Sequence, residues 1–93
     1  MNKIVNKQSF TIQEAFVIHM PIYSEILKIA YLAGDPTIWY AFDVEDTDGV
    51  LVARHFRAVG AGHVLEAYSI SQHIETLIDY TAGAVWHIFE VTP

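Results

Sequence analysis

The run Ala84-Val85-Trp86-His87-Ile88-Phe89-Glu90-Val91 crowds β-branched and aromatic side chains into the last tenth of the chain. Such residues suit a pleated, half-buried surface, so the run predicts a strand that completes the fold rather than a loose tail. The two-residue period of a strand places Val85, His87 and Phe89 on one face and Trp86, Ile88 and Glu90 on the other. The same grammar recurs upstream. Ile4 to Ile12 predicts a first strand, and Phe16 to Met20 a short second one stopped by Pro21. Thr37 to Val44 puts Ile38, Tyr40 and Phe42 on one face, with Trp39 and Ala41 opposite. Val50 to Val59 puts Leu51, Ala53, His55 and Arg57 on one face, with Val52, Arg54 and Phe56 on the other.

Three clusters separate these runs: Gly34-Asp35-Pro36, Asp46-Thr47-Asp48-Gly49 and Thr81-Ala82-Gly83. Each combines residues that favour turns or a positive φ. Two stretches stay open. Glu25 to Leu32 alternates, with Leu27, Ile29 and Tyr31 on one face and Lys28 on the other, and would then form a hairpin with Thr37 to Val44. Yet the wider stretch 22–32 also has helical character. Val64 to Tyr80 allows a helical stripe through Leu65, Tyr68, Ile74, Leu77 and Ile78, or a loop and then a strand over Gln72 to Asp79.

The chain has 93 residues, which predicts one domain with a single thin core. Apolar residues make up 53% and charged residues 17%, against about a quarter charged in an ordinary soluble domain. The apolar surplus implies a rich core, or an outer surface covered by another subunit or partner. The net charge is −6, and Lys3, Lys7, Lys28, Arg54 and Arg57 are the only Lys and Arg residues. No cationic stripe exists to meet a phosphate backbone, which argues against direct binding of nucleic acid. Cysteine is absent, so disulfides and thiolate metal sites are excluded. No apolar run reaches the roughly 18 residues of a membrane-spanning helix, and no secretory signal is apparent, so a cytoplasmic protein is expected.

His63 and His87 are candidates for metal or acid–base work, because imidazole ligates metal and titrates near neutrality. A zinc site needs three or four convergent ligands, and His19, His55 and His73 fall at no recognisable ligand spacing. Hydrogen bonding of each imidazole to local structure is the simpler reading, and no metal or other cofactor is expected. The acidic run Asp43 to Gly49 fails the EF-hand pattern. With Gly49 at the sixth position, Val44 occupies the first and His55 the twelfth, where carboxylates belong. Gly60-Ala61-Gly62 lacks the lysine and third glycine of a phosphate loop and predicts a turn or bulge instead. Arg54 and Arg57 lie three apart on a strand and point to opposite faces, so only a second protomer could make a clamp of them. Trp39 and Trp86 are candidate interface anchors.

An ordered series of motifs runs from Phe10 to Glu90. Pro21 is followed by Ile26-Leu27, then by Ile38-Trp39-Tyr40-Ala41 and by Gly60-Ala61-Gly62-His63. A strand with Ile74 and Thr76 and the terminal Gly83 to Glu90 complete it. In this series the chain resembles a family of small phage and prophage proteins that form a domain of unknown function, with Ala61 in place of a threonine. The resemblance implies an all-β or β-dominated domain and a phage accessory role, and it supplies no reaction. It favours strands over Glu25 to Leu32 and Gln72 to Asp79. The expected fold is an antiparallel meander of six or seven strands, curled into a small sandwich or open barrel. The expected function is non-enzymatic: binding and modulation of a host protein, a defence component among the possibilities, in the host cytoplasm. Alternatives are a virion decoration protein and an oligomer that sequesters a nucleotide-like ligand with Arg54, Arg57 and histidines. Association with further copies is expected, with pairing of exposed sheet edges as a route.

Overall fold

A computed structural model describes residues 2–47, 49–62 and 70–92, with backbone only at 46–47 and 70–71. Seven strands form two antiparallel sheets packed face to face, an all-β sandwich. The strands are β1 (Lys3–Ser9), β2 (Ala15–Pro21), β3 (Glu25–Leu32), β4 (Asp35–Asp43), β5 (Leu51–Val59), β6 (Ile70–Asp79) and β7 (Ala84–Thr92). A single helical turn, α1 (Val44–Thr47), follows β4. The first sheet has the order β1-β4-β3 and the second β2-β5-β7-β6. The shortest dimension, 17 Å, fits two layers about 10 Å apart.

The all-β expectation and the seven strands hold. The strand order is not that of a meander: only β3–β4 and β6–β7 are hairpins between neighbours in sequence. The reason lies after β1, which ends at Ser9 rather than running on to Ile12. Phe10 leaves the first sheet and stacks on Phe16, which stacks on Phe56, with ring centroids 5.1 and 5.5 Å apart. That aromatic column draws the chain across to the second sheet, so β2 finds β5 instead of β1. Gln8 then ties the layers, its Nε2 donating to the His19 carbonyl at 2.9 Å.

The core takes Ile18 and Met20 from β2, Ile29 from β3, Ile38 and Tyr40 from β4, Phe56 and Ala58 from β5, Leu77 from β6 and Ile88 from β7. Fully burying each large side chain stabilises the fold by roughly 1.5–3 kcal/mol. β1 adds nothing to this cluster and is held mainly by its ladder to β4.

Two β-bulges decide which residues reach the core. In β3 the register slips between Ile26 and Lys28, so that Ile26, not Leu27, faces Tyr40, and Glu25 faces Ala41. The expected face of Leu27, Ile29 and Tyr31 is corrected accordingly: Leu27 is 49% exposed, while Ile26 packs against the core with Ile29 and Tyr31. In β6 the slip between His73 and Glu75 sets His73 opposite Phe89 and Gln72 opposite Glu90, while Thr76 opposite His87 and Leu77 opposite Trp86 follow from the turn. An extra residue in one strand inverts the alternation beyond it.

The β3–β4 turn also moves. Ala33 and Gly34, at φ 50° and 86°, make a two-residue hairpin loop. This is the pattern of a type I′ turn, which suits the twist of the flanking strands. Asp35 and Pro36 therefore open β4 instead of forming the turn. The turn at Thr81-Ala82-Gly83 holds as expected, capped by Asp79 Oδ1, which accepts from the Thr81 and Ala82 amides.

Candidate interaction site

Strand β4 runs through the middle of the first sheet and points Thr37, Trp39 and Ala41 away from the core, with Thr37 and Ala41 buried and Trp39 partly exposed. Trp39 is half-buried and lies in register between Lys7 of β1 and Lys28 of β3. Directly opposed side chains in a sheet stand about 5 Å apart at Cβ. Lys7 and Lys28 are thus the cross-strand neighbours of the indole. Lys3 lies on the same face, opposite Asp43. Two of the three lysines of an acidic chain therefore flank Trp39, and the third, Lys3, lies four residues further along the same face. Lys3 and Lys28 reach Glu25 and Glu75, each at 3.7 Å. Such exposed pairs are weak and give way readily to a partner's charges. Exposed Val5 and Leu27 extend the apolar part of the face.

The second sheet turns a different surface outward. Parity along its strands places His19, His55, Arg57, His87, Phe89 and His73 there, with Val17, Val85 and Ile78. His73 Nε2 and His87 Nδ1 both hydrogen-bond the Thr76 hydroxyl, at 3.0 and 2.9 Å. The His73 ring also meets Phe89 edge-on at 5.3 Å. His87 is thus engaged by a neighbouring side chain, in keeping with a structural hydrogen bond. Its suggested companion, His63, lies outside the described residues, as does Tyr68. Among the described residues no three His, Asp or Glu side chains gather as metal ligands.

The arginines part company as strand geometry demands. Arg57 faces outward beside Ala15 and Phe89. Arg54 turns into the sandwich and forms a two-armed ion pair with Glu90, Nη2 to Oε1 at 2.8 Å and Nε to Oε2. Its Nη1 donates to the Ser24 carbonyl at 2.8 Å. The guanidinium is consumed in joining β5, β7 and the β2–β3 turn. The two arginines are not brought together in one protomer. Sequence reading missed this pair, although both residues fall on the core-facing parity of their strands, which was the available signal.

Trp86 faces inward opposite Leu77 and packs against the core. With Ile12, Gln13, Glu14 and Ala58 it lines a recess of about 300 Å³. In the acidic hairpin, Asp43 Oδ1 accepts from the Glu45 amide at 2.9 Å and caps α1. Tyr31, at the β3–β6 margin, has its phenol pushed above the usual range by burial and secondarily by the Asp79 carboxylate.

A domain family of unknown function, DUF7352, matches residues 1–93. The chain belongs to that family. No curated protein and no solved structure matches this DUF7352 chain. Among the described residues of the DUF7352 domain, no helix is long and apolar enough to cross a membrane.

Proposed function

We propose that this DUF7352 chain is a non-enzymatic phage accessory protein that binds and modulates a host protein, a defence component being the favoured class, in the host cytoplasm. The observation that carries the reading is Trp39 set between Lys7 and Lys28 on the open face of the first sheet. Tryptophan is the residue type most enriched where a few contacts supply most of the binding energy. The flanking lysines give the partner a chemistry: an apolar knob or pocket rimmed by carboxylates. Local charge of this kind orients an encounter even when the whole chain carries −6. The phage assignment rests on the motif series from Phe10 to Glu90. A nucleotide-sequestering role has less support, because the Arg54 guanidinium is already occupied by Glu90 and Ser24.

The test is affinity capture from host lysate with identification by mass spectrometry, comparing the native chain with Trp39→Ala and Lys7→Glu. One host protein retained by the native chain and at least about tenfold depleted by either substitution is expected for a hot-spot residue. Recovery of no host protein, together with the chain in purified phage particles, would replace this reading with that of a virion component.

A further inference from the structure

We infer that strand β1 docks on β1 of a second copy of this chain: the two strands pair antiparallel about Asn6 and join two three-stranded sheets into one continuous sheet. This goes beyond the host-binding reading and uses a sheet edge rather than a sheet face.

The edges of the two sheets are not alike. Each sheet ends in two of them, β1 and β3 in the first and β2 and β6 in the second. An open edge invites a further strand unless a bulge, a proline or a covering element spoils it. β3 and β6 each carry a bulge and lie against each other, with Lys28 Nζ 3.7 Å from Glu75. β2 stops at Pro21, and Gln8 Nε2 occupies the His19 carbonyl. In β1, seven consecutive residues pair with β4 without a slip, no proline interrupts them, and all but Gln8 are exposed. Among the described residues it is the one edge that is straight and exposed along its length.

Main-chain direction fixes what β1 offers. The Phe10 amide donates to the Pro36 carbonyl at 3.0 Å, and the Val44 amide to the Asn2 carbonyl at 3.5 Å. Even-numbered residues of β1 therefore bond β4, and Lys3, Val5, Lys7 and Ser9 turn their N–H and C=O groups to the open side. The Lys7 amide has a local acceptor, Asn6 Oδ1 at 2.9 Å, in an exposed contact that an inter-strand bond can replace.

The lysines choose the register. A two-fold axis must pair residues of like direction, which leaves centres at Val5, Asn6 and Lys7 for an extended ladder. Centred on Val5, Lys3 opposes Lys7 of the other copy; centred on Lys7, that lysine opposes itself. Directly opposed like charges destabilise a ladder. Centred on Asn6, Lys3 meets Ser9 and Lys7 meets Val5, and the full strand forms about eight main-chain hydrogen bonds. The edge also brings no carboxylate to the contact, in a chain of net charge −6. One strand of this length and one layer's thickness present on the order of 300 Å² per copy, which marks a weak, concentration-dependent dimer.

Sedimentation and NMR on the full chain, from about 20 μM to about 2 mM, test the proposal. The expected species at the upper end has twice the 10.5 kDa mass of one chain. With rising concentration the Lys3, Val5, Lys7 and Ser9 amides should gain protection from hydrogen exchange, while that of Val17 on the β2 edge does not. This readout needs no substitution and so survives a variant that misfolds. Val5, 61% exposed, then supplies a test of sign. Val5→Glu meets Lys7 of the other copy twice and should lower the dissociation constant about threefold or more, and Val5→Lys should raise it by as much. Net charge alone works the other way, because the glutamate adds to an acidic chain and the lysine offsets it. A chain that stays monomeric at about 2 mM would overturn the proposal. So would a dimer whose response to the two Val5 substitutions is not opposite in this sense, or one whose new protection falls on β2, β3 or β6. No host protein enters these measurements, so host capture through Trp39 can fail without touching any of them.

Discussion

The two outer faces of this sandwich are built from the same strand grammar and end in opposite chemistry. The first sheet turns out three lysines, one loosely paired with its own Glu25 and one with Glu75 of β6, and a single tryptophan. The second turns out four histidines, one arginine and a scatter of valine, isoleucine and phenylalanine, with no carboxylate. Between them, the Arg54–Glu90 pair places opposite charges inside the sandwich. The lesson is that a small acidic chain can keep distinct contact surfaces by sorting side chains through strand parity.

The largest expected effect tests the interior that separates the two faces. Arg54→Met leaves Glu90 without its partner in a site where both side chains are less than a quarter exposed. Chemical denaturation should show a loss of about 3 kcal/mol, because an orphaned buried charge costs more than the pair contributes. Lys28→Met, which removes a largely exposed pair with Glu75 at the β3–β6 margin, should change stability by no more than about 1 kcal/mol. Equal losses in the two variants would erase the distinction between interior and surface charge.

Next in size, Trp39→Ala should weaken host-protein binding by about 2 kcal/mol, read by calorimetry with the captured partner. His73→Ala, on the outer side of the second sheet, should leave that binding unchanged. An equal loss in both variants would mean that the faces are not independent.

Thr76→Val keeps the volume and removes the hydroxyl that joins His73 to His87. About 1 kcal/mol of stability should go with it. NMR of the imidazole side chains should show both rings changing together, which sharpens the picture of the second face as a connected layer.

The smallest effect concerns the margin where β3 meets β6. The folded state holds the Tyr31 phenol above its ordinary value, by burial first and Asp79 second. A raised value favours the protonated form, so its stabilisation is complete below the unfolded value of about 10 and disappears as pH rises through the folded one. Melting temperatures taken between about pH 9 and pH 11 should therefore fall less steeply in Tyr31→Phe than in the native chain.

Much of the second sheet was legible in advance. β5 and β7 run without interruption between their bounds, so the parity of Arg54, Arg57, Trp86, His87 and Glu90 could be counted from residue types alone. The gathering of four histidines on one face was not legible. It depends on β2, β5, β7 and β6 lying side by side, an order set by the Phe10–Phe16–Phe56 column and not by any local motif. The Trp39 site was half legible. Its outward direction followed from alternation, but the arrival of Lys28 beside it required the hairpin loop to be Ala33-Gly34, ahead of Asp35 and Pro36.

By itself, the order of residues determined which segments extend, where Gly34 and Gly83 turn the chain, and which way each uninterrupted strand faces, because these follow from steric preferences within a few residues. Tertiary structure alone decided the strand order, the two bulges and the partner of Arg54. Each of these is chosen by which layer best buries Ile29, Leu77 and Phe56, a competition among residues far apart in the chain.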